Sequence, residues 1–287
     1  LYLNIKNLKL LRSYLLLILF SVVFLVYGPL LKKHYALDTY VVEASGNQGE
    51  EQIRLGRFLS GMILNFLTKI GVNTAVHQSF LTFFSLCLLA FSIYMLIRLF
   101  LGVREEWEML SFLLLCLASV VSLCNVFILH WFLFPEVVIF MMTGLLLSIL
   151  AITSPVRYRG ISWFISYILL FAAISFYQAV GAFFLIFGML HISIRRERQL
   201  IISALKGFVS IFTVYIAAGV TNILLIKWLG RPTGRTQFEH WNPTRNIYSI
   251  VASLQEKLHN TNLGITPILF GIYIALLFLC TVNQPKW

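Results

Sequence analysis

Eight long apolar runs dominate this chain of 287 residues, near 10–30, 76–101, 109–129, 132–153, 161–177, 179–194, 208–229 and 266–283. Each comes close to the ~20 residues that a helix needs to cross a bilayer. The runs are continuous, with no apolar/polar alternation, so they read as helices and not as barrel strands. Charged residues make up only 11% of the chain, where a soluble domain carries roughly 25%. So few polar groups cannot cover a surface in water. Lipid has to solvate the apolar faces, and the spanning backbone then has to satisfy its own hydrogen bonds. The expected fold class is all-α: a polytopic membrane protein of about eight transmembrane helices, in a single helical membrane domain over 1–287. The pairs 109–153 and 161–194 are split by short polar breaks and read as helical hairpins. The first run is too long for a signal peptide and no small-residue cleavage site follows it. A chain that begins at Leu and ends just after an apolar run is open to being a piece of a longer protein.

Basic residues set the expected orientation, because Lys and Arg in short loops mark the cytoplasmic side. Lys6, Lys9 and Arg12 precede the first run, Arg98 and Arg104 follow the second, Arg157 and Arg159 the fourth, and Arg195, Arg196, Arg198 and Lys206 the sixth. All fall on one side if the spans alternate. The N-terminus is then inside, and the two long loops, 31–75 and 230–265, face outward. About half of the basic residues behind the net charge of +11 are therefore membrane anchors and no argument for nucleic acid. Arg54, Arg57, Arg231, Arg235 and Arg245 lie in the outer loops instead, where a guanidinium suits a phosphate or a lipid headgroup. No Cys/His ligand spacing occurs, so no metal site is expected.

The acids are sparse and informative. Asp38 is the one aspartate in the chain, and it sits in the first outer loop, four residues after His34. The same loop continues to "RLGRFLSGMILNFLTKIG", with apolar residues at Leu55, Phe58, Leu59, Met62, Ile63, Phe66, Leu67 and Ile70. That spacing predicts an amphipathic helix lying on the outer membrane surface. Glu136 follows Pro135 at the outer end of the fourth run, where Pro and Glu both suit a first helical turn. Tyr177 and Gln178 mark the outer turn between the fifth and sixth runs. Ionisable groups at membrane depth are costly and usually face a cavity or a partner. The outer loop after the seventh run adds Arg231 and Arg235 on a Gly-rich turn, and Trp241, a platform for a sugar ring. A flexible connector explains that loop equally well.

Four pieces in this order resemble the bacterial membrane glucosyltransferases of the Gtr type II family: "HYALDTY", "LGRFLSGMIL", "WFLFPEVVIFMMTGLLLSI" and "AISFYQAVGAFF". The resemblance covers roughly residues 10–200. Many family members carry two adjacent acids in the first outer loop, whereas here Thr39 follows Asp38. It implies a GT-C-like fold with its active site on the outer face of the bacterial cytoplasmic membrane. It implies a polyprenyl-phosphate sugar as donor, a surface polysaccharide as acceptor and no cofactor. In that scheme Asp38 and Glu136 are the catalytic carboxylates, and Arg57, Arg231 and Arg235 bind the donor phosphate. His34, Tyr177, Gln178 and Trp241 bind substrate. A metal is unnecessary beside enough arginine, although Asp38, Glu43 and Glu136 have the chemistry to hold one. Two other classes remain: a lipid-linked-sugar flippase or other transporter, and a non-catalytic scaffold. Polar groups gathered at one edge, with plain span centres, argue against the transporter. Asn222 and the Thr143–Gly144 pair are the exceptions.

Overall fold

The apolar runs fold as helices. In the computed structural model, residues 2–4, 8–34, 48–102, 106–153, 160–195 and 201–229 are described. The chain divides into two compact units, Leu1–Thr233 and Gly234–Trp287, and the described residues belong to the first. Helix α1 spans Leu8–Tyr27 and passes into a 3-10 turn, Gly28–Leu31. Helices α2 (Gln48–Arg54) and α3 (Phe58–Lys69) precede α4 (Gln78–Leu101). Then follow α5 (Met109–Leu123), α6 (Val126–Phe132), α7 (Val138–Thr153), α8 (Gly160–Phe176), α9 (Val180–Arg195) and α10 (Ile201–Trp228). Two short strands, β1 (Tyr2–Asn4) and β2 (Glu106–Glu108), pair antiparallel with Leu3 opposite Trp107. The expected run at 266–283 lies outside the described residues.

Among the described residues three helical stretches, Tyr14–Leu31, Gln78–Leu101 and Leu205–Trp228, are by themselves long and apolar enough to cross a bilayer. The expected single span over 109–129 is instead broken into α5 and α6, bent by 47°. Asn125 explains the break. Its Oδ1 accepts from the backbone N–H of Phe127 (2.9 Å) and Ile128 (3.1 Å), which caps α6. Its Nδ2 donates to the carbonyl of Ser122 (2.7 Å), near the end of α5. The Tyr27 hydroxyl donates to the Asn125 carbonyl (3.0 Å) and fixes this joint to the end of α1. The next helix begins later than the expected 132, because Phe134–Val137 forms a turn first. The N–H of Val138 bonds to the carbonyl of Phe134 (3.0 Å), so Pro135 and Glu136 occupy the lead-in turn of α7.

Helix α7 is the centre of the bundle and packs against α4, α8 and α9. Val138, Met142, Leu145, Ile149 and Ile152 are fully buried along it. Between lipid-solvated helices, association relies on close packing and small residues. Gly144 accordingly lies against the Ala173 carbonyl of α8, where a Cβ would have only 3.1 Å. Large apolar side chains are left exposed on the far faces, among them Leu17 and Leu25 on α1, Phe80 on α4, and Val209 and Leu224 on α10. Such a distribution suits lipid and not water.

The amphipathic helix expected from Arg54 onward begins at Phe58. Gly56 interrupts it with φ +84°, a left-handed conformation open to glycine at little cost. Helices α2 and α3 fold into a tight pair in which Gly49 and Gly61 approach so closely that a Cβ on either would strike the other's carbonyl oxygen. The buried side of α3 is Ser60, Gly61 and Leu64, while Met62, Phe66 and Ile70 point outward. A small-residue face thus meets protein and the apolar face is left for lipid.

The joint at Asn125 yields a direct prediction. Asn125→Ala lowers stability by about 1 kcal/mol, the usual worth of an N-cap. Asn125→Asp still accepts from the α6 amides but sets a carboxylate oxygen against the Ser122 carbonyl, so it recovers only part of the loss. Thermal unfolding in detergent distinguishes the two.

Candidate active site

Polar groups gather at one end of the bundle. The end of α1, the start of α4, the α5–α6 joint and the start of α7 meet there, as the Phe24–Phe83 (5.5 Å) and Tyr27–Phe132 (5.4 Å) ring contacts and the Tyr27–Asn125 hydrogen bond show. At the opposite end Phe100 meets His191 (6.1 Å), and Ser166 donates to the carbonyl of Ala151. Helix α4 ends toward that second end, so its Arg98 lies well away from the polar group.

Arg57 is held from three directions. The α2–α3 turn is closed by Gly56 N–H to the Ile53 carbonyl (2.8 Å) and Arg57 N–H to the Gln52 carbonyl (2.9 Å). The Arg57 side chain returns to α2, with Nη1 donating to Gln52 Oε1 (2.8 Å). Its guanidinium carbon then lies 4.5 Å from the centroid of the Tyr177 ring. A guanidinium over an aromatic face is attracted by the ring quadrupole. Tyr177 in turn takes the edge of Trp131 at 5.0 Å, and Trp131 is buried at the end of α6. Cation, phenol and indole thus form one cluster drawn from three separate parts of the chain.

The turn that carries Arg57 is fastened to the bundle by hydrogen bonds. Asn222 of α10, 2% exposed, donates from Nδ2 to the Gly56 carbonyl (3.1 Å). Asn222 Oδ1 accepts from Ser175 of α8 (3.1 Å). Ser60 of α3 donates to the Phe176 carbonyl (2.8 Å), one residue before Tyr177. Gln178 also lies against the turn, since a Cβ on Gly56 would collide with its Nε2. Gly56 is therefore required twice, for its dihedral angle and for the approach of an amide.

Glu136 is 4% exposed in the lead-in turn of α7, four residues beyond Phe132. His34 is half-buried and bridges two carbonyls, that of Lys32 from Nδ1 (2.9 Å) and that of Phe132 from Nε2 (2.8 Å). It pins the exit of α1 to the end of α6. His34, Glu136, Arg57, Tyr177 and Gln178 thus all belong to the same end of the bundle. Asp38, Glu43, Arg231, Arg235 and Trp241 lie outside the described residues. Arg54, the other described arginine between α1 and α4, faces Glu51 at 3.9 Å on an exposed helical surface. A pair of that kind contributes little. Among the described residues no three His, Cys, Asp or Glu side chains come together.

Several residues that build the site were not legible as such in the sequence. Asn222 stood out there only as an exception to plain span centres. Ser60, Ser175 and Gln52 gave no signal, because hydroxyls and amides on helices mostly bond to their own turn. Trp131 was quoted in a motif but given no role.

A family model described as Glucosyl transferase GtrII matches residues 27–286 of the chain. The match takes in every candidate residue named above, from His34 to Trp241, and extends past the stretch that carries the motifs. No curated protein and no solved structure matches the chain.

Asn222 supplies the test of the site's architecture. Asn222→Leu removes both of its hydrogen bonds, each worth about 0.6 kcal/mol on average and up to about 1.7 between membrane helices. The expected outcome is a thermal midpoint only a few degrees lower (roughly 1–2 kcal/mol), with transfer activity reduced at least about tenfold because the Arg57 turn loses its anchor. Thermal unfolding in detergent and a transfer assay on the same preparation check both.

Proposed function

We propose that this chain, which belongs to the glucosyl transferase GtrII family, moves glucose from a polyprenyl-phosphate donor to a cell-surface glycan on the outer face of the bacterial cytoplasmic membrane. The family makes it a glucosyltransferase; the donor, the acceptor, the side of the membrane and the inverting course are our reading. What carries that reading is the Arg57 guanidinium, fixed between Gln52 and Tyr177 at the end of an apolar bundle where Glu136 and His34 also lie. A lipid-linked phosphate arrives at that depth with its tail in the membrane.

The chemistry then follows from charge. An acceptor hydroxyl attacks C1 of the glucose while the bond from C1 to the phosphate oxygen breaks. The electron pair leaves with the phosphate, and the hydroxyl proton goes to a carboxylate. Asp38 is our choice for that base, four residues along the sequence from His34. A positioned base contributes about 10²–10⁴-fold. Negative charge gathers on the leaving phosphate. A guanidinium whose orientation is already set stabilises it without reorganisation. Arg57 takes that role, joined by Arg231 and Arg235 of the late outer loop. Glu136 and Gln178 orient the sugars, and Trp241 stacks on a ring. A single displacement with base and leaving group on opposite sides inverts the anomeric carbon.

The transporter alternative calls for broken or polar helices at the bilayer midplane. The buried Asn222 lies six residues before the end of α10, and its amide serves the α2–α3 turn instead of a central pathway. The scaffold alternative leaves the fixed guanidinium without a task.

Purified protein supplied with polyprenyl-phosphate glucose and a surface-glycan acceptor tests the proposal. Asp38→Asn and Arg57→Ala are expected to lower transfer by about 10²-fold or more, with membrane insertion unchanged. Arg57→Lys keeps the charge but loses the planar stack, and recovers only part of the rate. Unaltered transfer in Asp38→Asn overturns the assignment of the base.

A further inference from the structure

The start of α4 buries polar atoms that nothing among the described residues satisfies. Gln78 is 1% exposed, and neither atom of its amide has a hydrogen-bond partner. Thr82 is 0% exposed, and its hydroxyl has none either. Other buried hydroxyls on this helix behave differently: Ser85 donates to the Leu81 carbonyl and Ser92 to the Leu88 carbonyl, both at 2.7 Å. Thr82 makes no such bond to Gln78, four residues back. The N-cap of the helix, His77, makes no side-chain hydrogen bond, so no side chain caps the first-turn amides beside Gln78 from that position.

An unsatisfied buried polar group costs about 1–3 kcal/mol. Three such atoms on one helical face call for a partner that no described residue supplies. Gln78 and Thr82 are four residues apart and so share a face of α4. That end of α4 belongs to the site. The 3-10 turn Gly28–Leu31, which leads to His34, packs on α4. Just before the helix, Thr74 donates to Gln48 Oε1 (3.1 Å), which ties the approach to α4 to the first turn of α2, the helix that also carries Gln52.

We propose that Gln78 and Thr82 form a sugar-binding subsite that hydrogen-bonds ring hydroxyls of the glucosyl group or of the acceptor. The inference rests on the transfer reading above for the identity of the guest. The chemistry selects a neutral polyol. An amide and a hydroxyl both donate and accept, as vicinal sugar hydroxyls do, and neither brings the charge that a phosphate would require. The division of labour is then clear: arginine holds the phosphate, and the uncharged pair on α4 reads the ring.

Binding in nanodiscs tests this with two ligands, polyprenyl-phosphate glucose and plain polyprenyl phosphate. The wild-type protein is expected to prefer the glucose-bearing lipid. The double variant Gln78→Met, Thr82→Val is expected to melt no lower than wild type, because apolar near-isosteres remove unsatisfied groups. It should lose roughly 10- to 100-fold of that preference. If wild type shows no such preference, an oligosaccharide fragment of the surface glycan is the second arm. A loss of the same size there assigns the pair to the acceptor. A variant that binds both sugars as wild type does overturns the proposal, since the pair then holds only water. Transfer is measured in parallel. Intact sugar preference with no transfer sinks the transferase reading while leaving the subsite standing.

Discussion

The carbonyl oxygen of Gly56 joins the α2–α3 hairpin to the helical bundle. It accepts from Asn222 on α10, and Asn222 is held in turn by Ser175 on α8. Everything specific about the candidate site depends on this link, because Arg57 is the next residue. Its backbone N–H and its guanidinium both return to Gln52, so its position is decided by where the turn sits. A turn free to slide by an ångström would carry the guanidinium off the Tyr177 ring. In a dry interior the loss of orientation matters as much as the loss of any single bond.

The rest of the bundle shows how helices associate where water does not drive them together. Small residues let backbones approach at Gly144 against Ala173, and at Gly49 against Gly61. Hydroxyls on helices mostly fold back onto their own carbonyls, as Thr143 does to Ile139 and Thr221 to Ala217. The few polar side chains that reach across helices therefore stand out. Asn222 and Ser60 do so, and both end on the chain that presents Arg57 and Tyr177. Among the described residues most side-chain hydrogen bonds between helices lie at the end where the chemistry is proposed, with Ser166 to Ala151 and Tyr167 with Thr221 as exceptions.

The helices were legible from continuous hydrophobicity, since α1, α4, α8 and α9 fall within a few residues of their expected runs, while α10 begins seven residues before its run. Hydropathy averages over a window, and it passed over Asn125, a single side chain that ends one helix and caps the next. It likewise ran α3 through Gly56, where a positive φ stops it. Rarity made Arg57, Glu136, Tyr177 and Gln178 visible as polar groups at one edge. Rarity cannot say what each one touches. The partner of Asn222 is 166 residues away, and no periodicity carries that information.

The described parts of helices α7, α8 and α9 have 16, 17 and 16 residues. At 1.5 Å per residue they are about 24–26 Å long, short of a hydrocarbon core of about 30 Å. Helix α4, packed beside α7, has 24 residues and extends about 36 Å. Where a bilayer borders apolar helices as short as these, the film thins locally to meet them. A dimple of that kind lowers the headgroup plane toward the protein, so an amphiphile with a very long tail meets buried side chains without leaving its own leaflet.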